Sequence, residues 1–253
     1  LVVIEDACQA WLAEYKNKKC GTWGDLGCFS FQNSKNLPAG EGGAVIGNDE
    51  KIMDLCESFH NCGRPIGSVT GKGQYPTRGS NKRMQKTQAV ILMSQMERIH
   101  KDAEIREQNA DYLSEKLRKI PGIIPFKFVK GATRSAYHLY PFRYQKKEFN
   151  NAPKGNFIKA LRAEGIPAHY GYHAQYRDGL MDEALNSRGF KRLFSADRLK
   201  KYQDDLDLPG NEQLCSEAVV FTQNILLGSK KDMDDIADAI QKIYDNKEHL
   251  LNI

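Results

Sequence analysis

The stretch Leu1-Val2-Val3-Ile4-Glu5-Asp6-Ala7-Cys8-Gln9-Ala10 decides the fold, because four apolar and mostly β-branched residues run straight into two carboxylates. An unbroken apolar run of this kind reads as a strand buried on both faces of a parallel sheet, delivering polar groups at its carboxyl end. There is no initiator Met, no basic start and no small-residue cleavage site, so the opening does not read as a secretory signal. Nor does it read as a natural beginning, and an upstream segment is expected.

Outward from this strand, two more are expected at 27–32 and 44–46, each bounded by glycines. From Thr87 onward Ala89, Leu92, Met93, Met96, Ile99 and Ala103 keep helical spacing, and Ala110, Leu113 and Leu117 extend it. One long helix is expected, stopped by Pro121-Gly122. Beyond it the pattern changes to a strand over 136–144, a helix over 156–164 ended by Gly165, a short strand near 166–170 and two later helices. The last of these places Met233, Ile236, Ala237, Ile240, Ile243 and Tyr244 on one stripe. Residues 187–203 are charged and read as a solvated excursion. The division that follows is a large-domain portion over residues 1–121, long helix included, and a smaller α+β domain over 122–253. The crevice between two domains is the default binding site.

Composition narrows the function classes. The 253 residues are 40% hydrophobic and carry 37 Lys plus Arg against 32 Asp plus Glu, a net charge of +5. Both signs are interspersed, so the excess reads as solubility, and no nucleic-acid partner is expected. Apolar runs such as 89–93 and 218–221 fall far short of the roughly 18 to 20 residues that cross a bilayer, and no membrane span is expected. Six cysteines at 8, 20, 28, 56, 62 and 215 form neither a Cys-x-x-Cys pair nor a disulfide framework, pointing to reduced thiols and a cytoplasmic setting. Cys56, His60 and Cys62 lack a second ligand pair, so no metal site is expected. Gly40-x-Gly42-Gly43 lacks the third glycine of a dinucleotide fingerprint, Gly71-Lys72-Gly73 lacks the residues of a P-loop, and no Gly-x-Ser-x-Gly elbow occurs.

Three segments stand out: Ile4 to Ala10, Phe29-Ser30-Phe31-Gln32-Asn33-Ser34-Lys35-Asn36-Leu37, and Gly40-Glu41-Gly42-Gly43. Singly each has a bland reading, since an acid at a strand end caps a turn, a lone lysine is solvated and glycines mark a tight turn. Together they resemble the DegT/StrS family of pyridoxal-phosphate-dependent sugar aminotransferases, over almost the whole chain. The anchors are Glu5-Asp6-x-x-Gln9, Gly21-Thr22-x-Gly24-Asp25, Ser30 with Lys35 five residues later, Gly40-Glu41-Gly42-Gly43, and Asn81-Lys82-Arg83-Met84 leading into Gln88-Ala89.

The resemblance implies an α/β architecture of fold type I, aspartate-aminotransferase-like, with pyridoxal 5′-phosphate as cofactor. It implies that Lys35 holds the cofactor as a Schiff base and, once displaced, moves the proton. Asp6 then faces the pyridine nitrogen, Gln9 the phenolic oxygen or ring face, and Ser30 the phosphate. Asn81 matches an asparagine that reaches the phosphate of the neighbouring subunit's cofactor, which implies a homodimer with shared active sites. Gln32 stands where many family members have His, and with Asn224 to Gly228 it is similar to the branch of aminohydroxybenzoate synthases and scyllo-inosose aminotransferases. A keto-sugar or cyclitol ketone as acceptor, with glutamate or glutamine as amino donor, is the implied chemistry. Gln32, Tyr172 and His173 are candidates for the substrate side; for His138 and Tyr170, as for Tyr172 and His173, core or rim packing is an equal alternative. Dehydratases of the family commonly replace the lysine with His, so Lys35 argues against that activity. A non-catalytic binding protein has no need of an amine facing a carboxylate.

Overall fold

A computed structural model describes residues 1–69 and 75–253. Gly71-Lys72-Gly73 lies outside the described residues. The chain folds into two compact units, the first made of Leu1–Asp111, Lys127–Leu139 and Thr222–Ser229, the second of Tyr112–Phe126, Tyr140–Phe221 and Lys230–Ile253.

The first unit contains strands β1 (Ile4–Asp6), β2 (Glu14–Tyr15), β3 (Lys18–Lys19), β4 (Leu26–Ser30) and β5 (Gly43–Gly47), then helices α1 (Glu50–His60) and α2 (Lys86–Met96). Helix α3 (Ile99–Leu117) begins in the first unit and ends in the second. Strand β1 pairs parallel with β4 in the register Asp6 to Cys28, whereas β5 returns antiparallel to β4. The sheet is therefore mixed rather than wholly parallel: the twelve residues between Ser30 and Gly43 form turns and no helix, and the chain doubles back beside β4. Strand β1 has β4 as its one neighbour among the described strands, and Val2, Val3 and Ile4 are exposed rather than buried on both faces. The core beneath this sheet gathers Phe31, Leu37, Ala39 and Ile99, with Trp11, Leu12, Ala44 and Leu92 packed against it.

The expected single long helix is two. The ladder breaks at Glu97 and Arg98, where the Arg98 N–H bonds the Gln95 carbonyl at 3.3 Å instead of continuing four residues back. The turn coincides with the entry of Ile99 into the core, and a periodic apolar pattern cannot register such a change of direction. Helix α3 ends at Leu117, and Gly122 with φ of +80° makes the following turn, a conformation that favours glycine.

The chain continues through β6 (Ile123–Pro125), β7 (Ala132–Arg134), β8 (Leu139–Tyr144), α4 (Lys154–Ala163) and β9 (His169–Tyr170). Helices α5 (Gly179–Asn186), α6 (Arg188–Leu193), α7 (Ala196–Asp204) and α8 (Pro209–Glu217) follow, then β10 (Ala218–Thr222) and α9 (Lys230–Asp245). Residues 187–203, expected as an irregular excursion, form α6 and α7, each opened by a serine whose side chain caps a backbone N–H. More than two helices thus follow β9. Strands β6, β8, β10 and β9 make the second unit's sheet, and Phe142, Tyr144, Phe149 and Phe157 stack beside it, fully buried. Helix α9 buries Met233, Ile236, Ala237, Ala239, Ile240 and Ile243, close to the expected stripe, while Tyr244 is half-buried. Among the described residues no helix is long and apolar enough to cross a membrane.

Candidate active site

The parallel pair β1 and β4 ends its strands side by side, and the carboxyl ends of such strands are where ligands bind in α/β sheets. Asp6 is the last residue of β1 and Ser30 the last of β4. After β4 the chain tightens: Gln32 donates its N–H to Ser30 Oγ at 3.2 Å, and Lys35 donates its N–H to the Gln32 carbonyl at 2.9 Å. The Gln32 side-chain oxygen accepts from the Ser34 N–H at 2.8 Å and the Ser34 hydroxyl at 2.6 Å. That turn carries Lys35 back toward the strand ends, half-buried. Trp11 fixes the end of β4 from the other side, donating to the Ser30 carbonyl at 3.0 Å.

The charges of this corner act on one another. The Cys8 side chain, the Cys8 N–H that donates to Asp6 at 3.1 Å and the charge of Lys35 hold the Asp6 carboxyl below the usual range, while the thiol donates to the Cys28 carbonyl at 3.7 Å. Burial first, then the Asp6 carboxylate, pushes the Cys8 thiol up to about 11, so it stays protonated as a donor. Burial, then Lys35, lowers the pKa of His138, which leaves its imidazole neutral at pH 7. Lys35 therefore lies within charge range of Asp6, Cys8 and His138.

Glu5, one residue earlier, shores up the strand from outside. Its carboxylate accepts from the N–H groups of Gly21 and Gly24, both at 2.7 Å, and of Trp23. Burial alone would raise its pKa, but the three donors outweigh it and hold the carboxyl below its ordinary value. Gly27 has no room for a side chain, since a Cβ there would stand 2.0 Å from the Gly21 carbonyl oxygen.

The remaining expected residues are distributed differently. Gln9 is exposed, two residues past the Ala7 N–H that bonds the Cys28 carbonyl at 2.9 Å. Asn81 is exposed and forms a lone antiparallel bridge with Asn61; its side-chain oxygen accepts from the Arg83 N–H at 3.3 Å, and Arg83 in turn donates to Asn61. Its bonds thus run to Asn61 and Arg83 rather than to Asp6, Ser30 or Lys35. Tyr172 and His173 belong to the second unit; Tyr172 is exposed, and His173 pairs with Asp178 at 2.8 Å. Two residues that the sequence motifs gave no firm role, Asn36 and His138, are joined to this corner through the fold. Asn36 is buried and donates to the Ala136 carbonyl at 2.8 Å, and His138 follows two residues after that carbonyl. Their signal is tertiary, because about a hundred residues separate them in sequence.

Farther along α3, Arg106 donates to the Gln223 side chain at 2.9 Å, and the buried Asn109 donates to the carbonyls of Leu226 at 2.9 Å and Gly228 at 2.8 Å. These bonds explain why the segment 224–228 returns to the first unit.

Residues 1–226 match the DegT/DnrJ/EryC1/StrS aminotransferase family. The chain is 31% identical over 253 residues to an L-glutamine:2-deoxy-scyllo-inosose aminotransferase of Streptoalloteichus tenebrarius, covering 96% of this chain and 58% of that protein. It is 30% identical to an L-glutamine:scyllo-inosose aminotransferase of Streptomyces griseus, covering 97% and 59%. Among solved structures, 3-amino-5-hydroxybenzoic acid synthase superposes with a TM-score of 0.74 at 25% identity, over 96% of this chain and 61% of that one. Helicobacter pylori PseC, at 22% identity and TM-score 0.74, shares the fold. The chain thus spans about three fifths of the length of these relatives.

Proposed function

Because the chain belongs to the DegT/DnrJ/EryC1/StrS aminotransferase family, of fold type I, we propose that the protein moves an amino group from glutamine or glutamate to a keto-sugar or cyclitol ketone. The cofactor is pyridoxal phosphate, and two subunits share each site. The observation that carries this reading is the corner of the first unit where Asp6 and Ser30 end neighbouring parallel strands and Lys35 turns back within charge range of Asp6. The donor set suits the cofactor: a carboxylate for a ring nitrogen, an amine for an aldehyde and a hydroxyl for a phosphate. The buried, unpartnered His138 Nδ1 within charge range of Lys35 is also what a ligand-binding corner would leave.

Bound there, pyridoxal phosphate supplies an aldehyde carbon to take the donor nitrogen and a protonated ring that draws off electrons. Lys35 Nζ would hold the cofactor at rest and, once displaced, would be the base that moves the proton between the substrate carbon and the cofactor's C4′. Asp6, kept ionised by Cys8 and Lys35, holds a proton on the ring nitrogen. Ser30 Oγ donates to the phosphate. Gln9 would contact the phenolic oxygen or ring face, and the exposed Asn81 would reach the phosphate across a dimer interface.

The acceptors named for the similar inosose aminotransferases favour a free cyclitol ketone and glutamine as donor. The six cysteines are free thiols, which supports a cytoplasmic setting. The deciding experiment follows cofactor absorbance while glutamine, glutamate and other amines are offered one at a time, and then offers a ketone panel. Conversion by glutamine and reversal by scyllo-inosose is expected; inertness toward every amine would overturn the reading.

A further inference from the structure

The turn that follows β4 spends its acceptors on itself. Phe31 is buried in the core, its N–H donating to the Gly42 carbonyl at 2.9 Å and its carbonyl accepting from the Ala39 N–H at 2.7 Å. Side chains alternate as the chain leaves the strand, so Ser30 and Gln32, which flank Phe31, point away from that core. The Gln32 N–H bonds Ser30 Oγ at 3.2 Å, which keeps the two polar groups together on one side. Gln32 Oε1 takes two hydrogens, from the Ser34 N–H at 2.8 Å and the Ser34 hydroxyl at 2.6 Å. The Gln32 carbonyl takes a third, from the Lys35 N–H at 2.9 Å.

Those bonds fix which way the amide faces. A backbone N–H can only donate, so the atom it meets is the Gln32 oxygen and not the nitrogen. With Oε1 turned to Ser34, the planar amide holds Nε2 on the opposite side. Among the described residues nothing accepts from Nε2, and it is not one of the buried atoms sealed without a partner, so it is open to a ligand. What the turn presents outward is therefore hydrogens: the Ser30 hydroxyl, whose oxygen already accepts one bond, and the pair on Gln32 Nε2. A polyhydroxylated ketone, which donates as readily as it accepts, is not selected by such a face. A group with several acceptor oxygens and no hydrogen is, and its bonds are the stronger when it carries charge. Of the molecules that the proposed reaction brings to this corner, the cofactor offers the most such oxygens, three on its phosphate against two on an amino-acid carboxylate.

We propose that Gln32, expected on the substrate side, is a cofactor ligand that donates from Nε2 to the phosphate beside Ser30. This rests on the transaminase reading above and deepens it: one turn supplies the lysine for the aldehyde and two neutral donors for the phosphate.

The test strips the holoprotein of cofactor and titrates back pyridoxal phosphate or pyridoxal, which lacks the phosphate, with absorbance as the readout. Gln32→Leu should weaken pyridoxal phosphate by about ten- to a hundredfold, the worth of a hydrogen bond to a charged group at about 1.5 to 3 kcal/mol, and leave pyridoxal unchanged. Gln32→Glu keeps the shape but sets a carboxylate against the phosphate, and should weaken pyridoxal phosphate at least as much. An equal loss for both aldehydes would overturn the proposal. So would unchanged affinity for pyridoxal phosphate, or a defect confined to the KM for glutamine or for the ketone. If wild type binds neither aldehyde, the transaminase reading fails on its own, and inorganic phosphate then decides what the turn binds. Its phosphorus resonance should broaden with wild type and less so with Gln32→Leu; equal broadening in the two would overturn the assignment.

Discussion

Helix α2 is built around Ala89-Val90-Ile91-Leu92-Met93, yet none of its residues is buried, and Val90 and Met93 are 67% and 68% exposed. Helix α9 opens Lys230-Lys231-Asp232 and carries charge throughout, yet it buries Met233, Ile236, Ala237, Ala239, Ile240 and Ile243. The more apolar helix is the more exposed one. What buries a helix in this chain is the confinement of its apolar residues to one stripe, not their number.

The same contrast separates the two units. In the second, non-glycine residues at left-handed φ are Asn150 and Asn151, the type that tolerates it. In the first they include Leu12, Cys62 and Tyr137, and there too lie the unpartnered Asn36 Oδ1 and His138 Nδ1. Strain and unsatisfied polarity are thus greater in the first unit, which is also the one where the chemistry is proposed. The second unit instead closes an aromatic core on itself.

If that division of labour holds, substitutions in the two units fail in different ways. Lys35→Ala should lower turnover by about 10²- to 10⁴-fold or more and abolish covalent cofactor attachment while leaving the melting temperature of cofactor-free protein nearly unchanged. Borohydride reduction and peptide mapping check it, and a label on another lysine would sink the assignment. Phe157→Ala should do the reverse, costing about 3 to 5 kcal/mol in denaturant unfolding because the ring is fully buried against Phe142, Tyr144 and Phe149. A loss under 1 kcal/mol would show that the aromatic cluster is not what closes the second unit.

Asn109→Ala should cost about 2 kcal/mol, since it strips the Leu226 and Gly228 carbonyls of their shared donor. Limited proteolysis near residue 226 should speed up in parallel. Glu5→Gln should lower the melting temperature by about 2 to 4 °C at pH 7, the scale of one net hydrogen bond in a chain of this size. The sign with pH follows from a carboxyl lowered in the folded state: its contribution is present above the unfolded value of about 4.3 and is lost as pH falls through the folded one. The gap between Glu5→Gln and wild type should therefore close in acid; a gap that persists at pH 2 would mean the carboxylate is not the acceptor. Smallest of all, Val90→Ser on α2 should change the stability of this chain by no more than about 0.5 kcal/mol, as befits an exposed position.

Local chemistry was enough to read part of this molecule from its residues. The stripe of α9 appears at nearly its expected positions because helical period is a local property. The polar ends of β1 and β4 were legible because a strand's terminus and its following turn are encoded within a few residues, as in the Ser30 to Lys35 segment. Pairing and burial were not legible, because they depend on partners distant in sequence. The antiparallel return of β5 and the turn at Glu97 and Arg98 that admits Ile99 to the core were settled by neighbours that a periodic pattern does not name. The joining of Asn36 to Ala136 is of the same kind: a single hydrogen bond spanning about a hundred residues that only the folded chain can form.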